Sequence, residues 1–311
     1  MEAGVGAGSA RSGSSGLAPA VSGPVALAVV RDYVTLTKPR IIALLLVTTV
    51  ATMLVADPSG PPLSTVLWTM LGGYLAAGGA GAINHYLDRE RDARMARTRS
   101  RPLVSGRIAP VHGLVFGIVL GLAAFVQLWL TVNPLAAVLA MAGLLGYVFV
   151  YTLWLKPLTP QNIVIGGAAG AVPPLVGWAA ATGGLSPEAL WPFAIVFVWT
   201  PPHFWALSLL IKDDYARTGV PMLPVVRGEE ETRRQILGYS IGLTALTLAP
   251  VATGLFGLLY LGAALALGTA FCVLAARLRA RRGRRDALRL YLFSLSYLAL
   301  LFAAMAVDRV L

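Results

Sequence analysis

Nine apolar windows of roughly twenty residues punctuate this chain, at about 41–57, 65–87, 110–131, 134–153, 162–182, 190–210, 235–256, 258–276 and 289–308. Twenty helical residues at about 1.5 Å each cross the roughly 30 Å of a bilayer's hydrocarbon core. The pattern therefore predicts nine transmembrane helices. The polar residues between the windows are unevenly distributed. Connections near 57–64, 131–134, 183–189 and 256–258 are short and carry no Lys or Arg. Those after the second, fourth, sixth and eighth windows hold most of the acids and bases. No polar stretch is long enough for a second, soluble domain, so the chain reads as one all-α polytopic membrane bundle.

Composition agrees, and charge orients the bundle. The chain is 57% hydrophobic and 13% charged, with mean hydropathy +0.73, which excludes an ordinary soluble domain. Of its 25 Lys and Arg residues only Arg309 falls on the side opposite the others. Basic residues are retained inside, which places the N-terminus and the loops after even-numbered spans in the cytoplasm and the C-terminus across the membrane. The net charge of +11 is then a topology signal and an attraction to anionic lipid. It argues against a nucleic-acid partner, because the basic residues lie in short loops between spans. Cys272 is the sole cysteine and lies inside a span, so no disulfide or Cys-x-x-Cys motif is available. Residues 1–30, rich in Gly, Ala and Ser, are predicted to be a disordered tail before a membrane domain over 31–311. Residues 31–40, with Tyr33, Lys38 and Pro39, read as an interfacial lead-in to the first span.

The strongest chemical signal is the run Asn84-His-Tyr-Leu-Asp88-Arg-Glu-Arg-Asp92, continuing through Arg97-Thr98 and Arg101-Pro102. Residues 84, 88 and 92 are four apart and form one stripe on a helix. A carboxamide and two carboxylates are hard oxygen ligands of the kind Mg2+ prefers. The acids could instead pair with Arg89, Arg91 or Arg94 as a solvated network. Asn84 weighs against that, since it lies a turn deeper, where a polar side chain is costly unless used. Arg97 and Arg101 are also four apart and can converge on one polyanion, as suits the phosphates that accompany Mg2+.

A second polar loop, 203–234, lies four spans later, a weak hint of a duplicated four-helix unit. It begins Trp199-Thr-Pro-Pro-His203-Phe-Trp205 and continues through Lys212-Asp213-Asp214-Tyr215 and Gly219-Val-Pro-Met-Leu-Pro224. His203 sits deeper than the acids, where a neutral imidazole can accept a proton or ligate a large substrate. Asp213 and Asp214 at the rim are candidates for a second metal. Lys156, alone in its loop, either snorkels or contacts a phosphate. In the fifth span, Gly166-Gly167, Gly170, Pro173-Pro174 and Gly177 mark either close helix packing or a kinked helix lining a cavity. Magnesium, arginine and an oily interior together suit a lipid-borne diphosphate, whose departing pyrophosphate they would stabilise.

The spacing Asn84-x3-Asp88-x3-Asp92 with Arg97-Thr98-x2-Arg101-Pro102 resembles the UbiA superfamily of intramembrane prenyltransferases. The stretch Pro202-His203-Phe204-Trp205 through Asp214-Tyr215 and Gly219-Val-Pro-Met-Leu-Pro-Val-Val is similar to one branch, the protoheme IX farnesyltransferases or haem O synthases. The resemblance covers residues 31–308. It implies a nine-transmembrane-helix bundle around a central cavity with cytoplasmic cap loops, in a plasma or inner membrane. It implies transfer of a farnesyl group from farnesyl diphosphate to a vinyl group of haem b, with water addition and diphosphate release. By motif match, Asn84, Asp88, Asp92 and His203 are the expected catalytic residues, with His203 meeting the haem. Asp88, Asp92, Asp213 and Asp214 are the expected Mg2+ ligands. Arg97, Arg101, Lys156 and Lys212 are expected on the diphosphate or a haem propionate. The implied partners are farnesyl diphosphate, haem b, the lipid bilayer, and a haem A synthase or terminal-oxidase assembly factors.

Two departures stand out. Adjacent Asp213-Asp214 replaces the superfamily's fuller second Asp-x3-Asp motif, and Gly81 stands where many branch members have asparagine. Two other readings remain open. One is a prenyltransferase with a different acceptor, such as an aromatic acid or a chlorophyll precursor; His203 and the Pro-Met-Leu-Pro run argue against it. The other is a transporter, which would carry acids deep within its spans.

Overall fold

A chain this apolar can keep its backbone in hydrocarbon only by hydrogen-bonding it internally, and helices do so within each segment. A computed structural model describes residues 23–311. Among them, nine helices are long and apolar enough to cross a membrane. A leading helix α1 (Gly23–Thr37) precedes the spans α2 (Pro39–Ala56), α3 (Leu63–Arg94) and α4 (Pro110–Thr131). Next come α5 (Pro134–Leu158), α6 (Asn162–Thr182) and α7 (Pro187–Leu210). Two short helices, α8 (Lys212–Arg217) and α9 (Leu223–Val226), lead to the spans α10 (Gly228–Ala252), α11 (Leu258–Arg281) and α12 (Arg284–Val310). No strand occurs among the described residues. Large apolar side chains such as Phe149, Trp154 and Leu130 are exposed on the outside, as suits contact with lipid.

Two expectations change at the N-terminal end. Residues 23–30, expected as disordered tail, belong to α1, and so does most of the expected interfacial lead-in. The remainder of the tail lies outside the described residues. Lys38 separates α1 from α2 in the left-handed conformation, with φ 60°. That is uncommon for a residue with a side chain.

Successive spans pack side by side in chain order, and α12 closes the ring against α2. The ring is pinched where α2 meets α6 and where α7 meets α12. Small residues permit the tightest seams. A Cβ on Gly79 would lie 2.7 Å from the Gly117 carbonyl oxygen, so α3 and α4 touch backbone to backbone. Likewise a Cβ on Gly177 would overlap the Thr49 carbonyl oxygen, at the α2–α6 pinch.

The two lobes so formed differ. The lobe of α7, α10, α11 and α12 is filled by buried aromatics, including Trp205, Tyr260, Phe271, Tyr297 and Phe302. The lobe bounded by α2, α3, α5 and α6 holds a cavity of about 220 Å³, almost wholly apolar. Gly170 and Pro173 line that cavity, whereas Gly166, Gly167 and Gly177 face Tyr151, Thr200 and Thr49. The glycines and prolines of the fifth span therefore serve both close packing and a cavity wall.

Candidate active site

The last turns of α3 carry Asn84, Asp88 and Asp92 on one face, as their spacing requires, and that face points inward. The three residues are only 4%, 2% and 5% exposed. Asn84 Nδ2 donates to Asp88 Oδ2 at 2.8 Å and to Thr152 Oγ1 at 3.2 Å. Lys156 Nζ meets Asp88 Oδ2 at 2.5 Å, and Arg91 reaches Asp88 Oδ1 at 3.3 Å. Arg101 pairs with Asp92 Oδ2 at 2.5 Å. Lys38 Nζ donates to Asn84 Oδ1 at 2.7 Å and approaches the Tyr147 ring at 5.9 Å. Two carboxylates and a carboxamide are thus held by four cations drawn from four parts of the chain.

Local structure explains how those cations arrive. In α5 the stretch Gly146–Leu155 is wound as a π-helix. Such turns re-aim side chains and recur at functional sites. This one sets Thr152 on Asn84 and Tyr147 beside Lys38, and delivers Lys156 immediately after it. Beyond α3, Met95 is extended at φ −99° and ψ 129°, which ends the helix. A series of turns then returns Arg101 to Asp92, with Thr98 Oγ1 donating to the Asp92 carbonyl oxygen at 2.8 Å. Lys38 and Tyr147 also line the cavity, so the charged cluster stands at the polar end of an apolar chamber.

Burial beside Arg101 and Lys156 pushes the Lys38 ammonium down to about 7, because few waters remain to solvate one more positive charge. In the second loop, burial pushes the Tyr215 phenol up to about 12. That loop caps the first one. Tyr215, Val220 and Met222 form a buried cluster with Met95 and Ile163. Gly219, with φ +67°, makes the turn that brings Val220 and Met222 into it.

Other expected site residues fall elsewhere. Arg97 is exposed beyond the end of α3, and like Arg101 it lies near enough the Tyr215 phenol to act on its charge. Lys212 pairs with Glu229 at 2.7 Å, away from the stripe. Asp214 is tied to Arg217, and Asp213 is exposed. No cluster of three or more His, Cys, Asp or Glu side chains converges among the described residues. The four aspartates expected as metal ligands therefore do not gather at one point.

His203 is not among the cavity-lining residues. Its ring stacks on Trp199 and Tyr291, with centroids 4.2 and 5.0 Å away. Its Nδ1 lies 2.6 Å from Ser294 Oγ. Ser294 Oγ donates to the Tyr291 carbonyl oxygen, which leaves it to accept from His203 and fixes the proton on Nδ1. Gly81 also has a local reason. A Cβ there would lie 3.0 Å from the Leu36 carbonyl oxygen, so α1 leaves little room for an asparagine.

The pairs found here fit Mg2+ shared with a substrate. Magnesium is commonly bound by one or two carboxylates plus phosphate oxygens and water, not by an all-protein cage. Asp88 and Asp92 are the carboxylates that would hold it, and Lys38, Lys156 and Arg101 the cations that would face phosphate.

A model of the UbiA prenyltransferase family matches residues 45–300. A protoheme IX farnesyltransferase of Roseiflexus sp. (strain RS-1) is 56% identical over 280 residues, 90% of this chain and 52% of the relative. The chain thus spans about half the length of that relative. Proteins of the same name from Symbiobacterium thermophilum and Alkalilimnicola ehrlichii are 55% and 53% identical and are covered over 94% and 92% of their length, each across 90% of this chain. Among solved structures, a digeranylgeranylglyceryl phosphate synthase aligns with TM-score 0.74 at 18% identity, covering 90% of this chain and 98% of that one. A UbiA homologue from Archaeoglobus fulgidus bound to DMAPP and Mg2+ aligns with TM-score 0.66 at 16% identity, covering 89% and 99%.

Proposed function

The chain belongs to the UbiA prenyltransferase family, and from that premise we propose that it farnesylates protoheme IX, consuming farnesyl diphosphate and water and releasing haem O and diphosphate. The observation that carries the transferase chemistry is the buried stripe of Asn84, Asp88 and Asp92, ringed by cations, at the polar end of an apolar cavity. The choice of acceptor rests on the relatives that match across nearly their whole length.

The donor's diphosphate sits among Lys38, Lys156 and Arg101, and its prenyl chain lies in the cavity. Asp88 and Asp92 would hold Mg2+, which when bound would neutralise the charge of a departing diphosphate. The allylic C–O bond breaks and its electron pair leaves with the diphosphate. Lys38, Lys156 and Arg101 stabilise that growing negative charge by their fixed placement. The apolar walls keep water from the allylic cation. The terminal carbon of a haem vinyl group attacks it to form the C–C bond. Water then adds to the carbon next to the macrocycle and loses a proton, leaving a hydroxyl. His203 serves from the second lobe, its free Nε2 available as proton acceptor or iron ligand. The polar end of the bundle faces the cytoplasm and the C-terminus the opposite side.

Incubating membranes that contain the protein with farnesyl diphosphate, Mg2+ and haem b tests this directly. We expect the mass of haem O to appear. Diphosphate release with a prenylated aromatic acceptor instead of haem would overturn the choice of acceptor.

A further inference from the structure

The cavity has a floor, and its depth is measurable along the helices. Counting from the polar end, the last lining residue is Thr49 on α2, Gly73 on α3, Ala140 on α5 and Val176 on α6. Gly73 lies eleven residues from Asn84 on the same helix, which is about 16 Å at 1.5 Å per residue. Thr49 lies eleven residues from Lys38, again about 16 Å. A farnesyl chain has twelve main-chain carbons, and its eleven C–C bonds extend to about 14 Å at roughly 1.25 Å projected per bond. A fourth isoprene unit adds about 5 Å, close to one helical pitch.

One turn beyond Thr49 on α2 lies Met53. Met53, fully buried, packs in one cluster with Ala76, Ala136, Ala137, Ala179 and Ala180. Of the buried cluster members on the four cavity-lining helices, Met53 alone is larger than valine. The pinch between Gly177 and the Thr49 carbonyl oxygen closes the same level from the α6 side.

We propose that Met53, beneath the ring of Thr49, Gly73, Ala140 and Val176, is the length gauge that stops the donor's prenyl chain at three isoprene units. The proposal rests on the reading of this cavity as the prenyl site. Met53→Ala removes three heavy atoms from the level a fourth isoprene must enter. Gly73→Leu works in the opposite sense. A Cβ at Gly73 meets only the tip of Leu46, Cδ2 at 3.1 Å, so a larger side chain has room to project into the cavity.

The test uses the full chain in detergent with Mg2+ and the thiolodiphosphates of geranyl, farnesyl and geranylgeranyl chains. Affinities are read by thermal stabilisation, which needs no acceptor. The wild type is expected to favour farnesyl. Met53→Ala should raise the geranylgeranyl-to-farnesyl affinity ratio by about tenfold or more, as enlarging an apolar pocket does. Gly73→Leu should shift preference toward geranyl by a similar factor, and it carries the test alone if Met53→Ala does not fold. Unchanged ratios in both variants, or a wild type indifferent to chain length, would overturn the gauge. A wild type that favours farnesyl yet forms no haem O would leave the gauge standing and remove haem as the acceptor.

Discussion

Asp88 has Lys156, Arg91 and Asn84 within reach where a surface carboxylate would have water. Removing one partner of a buried ion pair strands the other, at about 3–5 kcal/mol. Asp88→Asn should therefore lower both stability and turnover. Asp88→Asn combined with Lys156→Met should recover thermal stability in detergent while diphosphate release stays down by about a hundredfold or more. Turnover restored in the double variant would remove Asp88 from the chemistry. Lys38 behaves differently. Its depressed pKa means that the fold disfavours its charge, and its left-handed backbone adds strain. A residue kept at a cost to the fold is expected to serve a ligand. Lys38→Met should hold or raise the melting temperature while weakening prenyl-diphosphate affinity at least tenfold. A variant that loses stability and keeps affinity would contradict this. The stripe at 84, 88 and 92 was legible because i, i+4 spacing is a property of any helix. Lys38 was not, since nothing in Thr-Lys-Pro-Arg announces a left-handed residue.

At the level of elements, hydropathy located all nine spans, because length and oiliness alone decide what crosses a bilayer. What it missed were departures from the regular α-helix. The π-wound stretch of α5 has no compositional signature, yet it sets the directions of Thr152 and Lys156. The four-residue spacing of Arg97 and Arg101 is not a helical one, since α3 ends where Met95 turns extended. His203 lies within α7, and its facing toward Ser294 depends on tertiary packing with α12. The α3–α4 seam gives a sharp expectation. Gly79→Val would press side-chain atoms into the backbone of α4, and overpacking of this kind costs about 1–3 kcal/mol or more. A lower melting temperature in detergent, with normal insertion, is the expected result. An unchanged melting temperature would mean that the two helices separate easily.

Across the whole molecule, charge and cavity share one end. The turns after α3, α5, α7 and α11 meet there, joined by contacts such as Arg282 with Glu230 at 3.2 Å and Arg284 with the Leu210 carbonyl oxygen at 3.1 Å. In a Cys272→Ser background, Ser105→Cys should react with a membrane-impermeant maleimide only from the cytoplasmic side, and Gly254→Cys only from the other. The reverse labelling would invert the proposed orientation. The ion pairs at that end have one more consequence. Asp88 and Asp92 are already partnered by Lys156 and Arg101, so a diphosphate does not enter an empty nest of positive charge. In the proposed reaction it must take the lysine and arginine away from their carboxylates, and the carboxylates reclaim them when it leaves. Binding is a trade of partners, with each carboxylate waiting as an internal competitor. Such a site is reset by its own side chains, which opposes retention of the diphosphate product even though it leaves with one more negative charge than the ester.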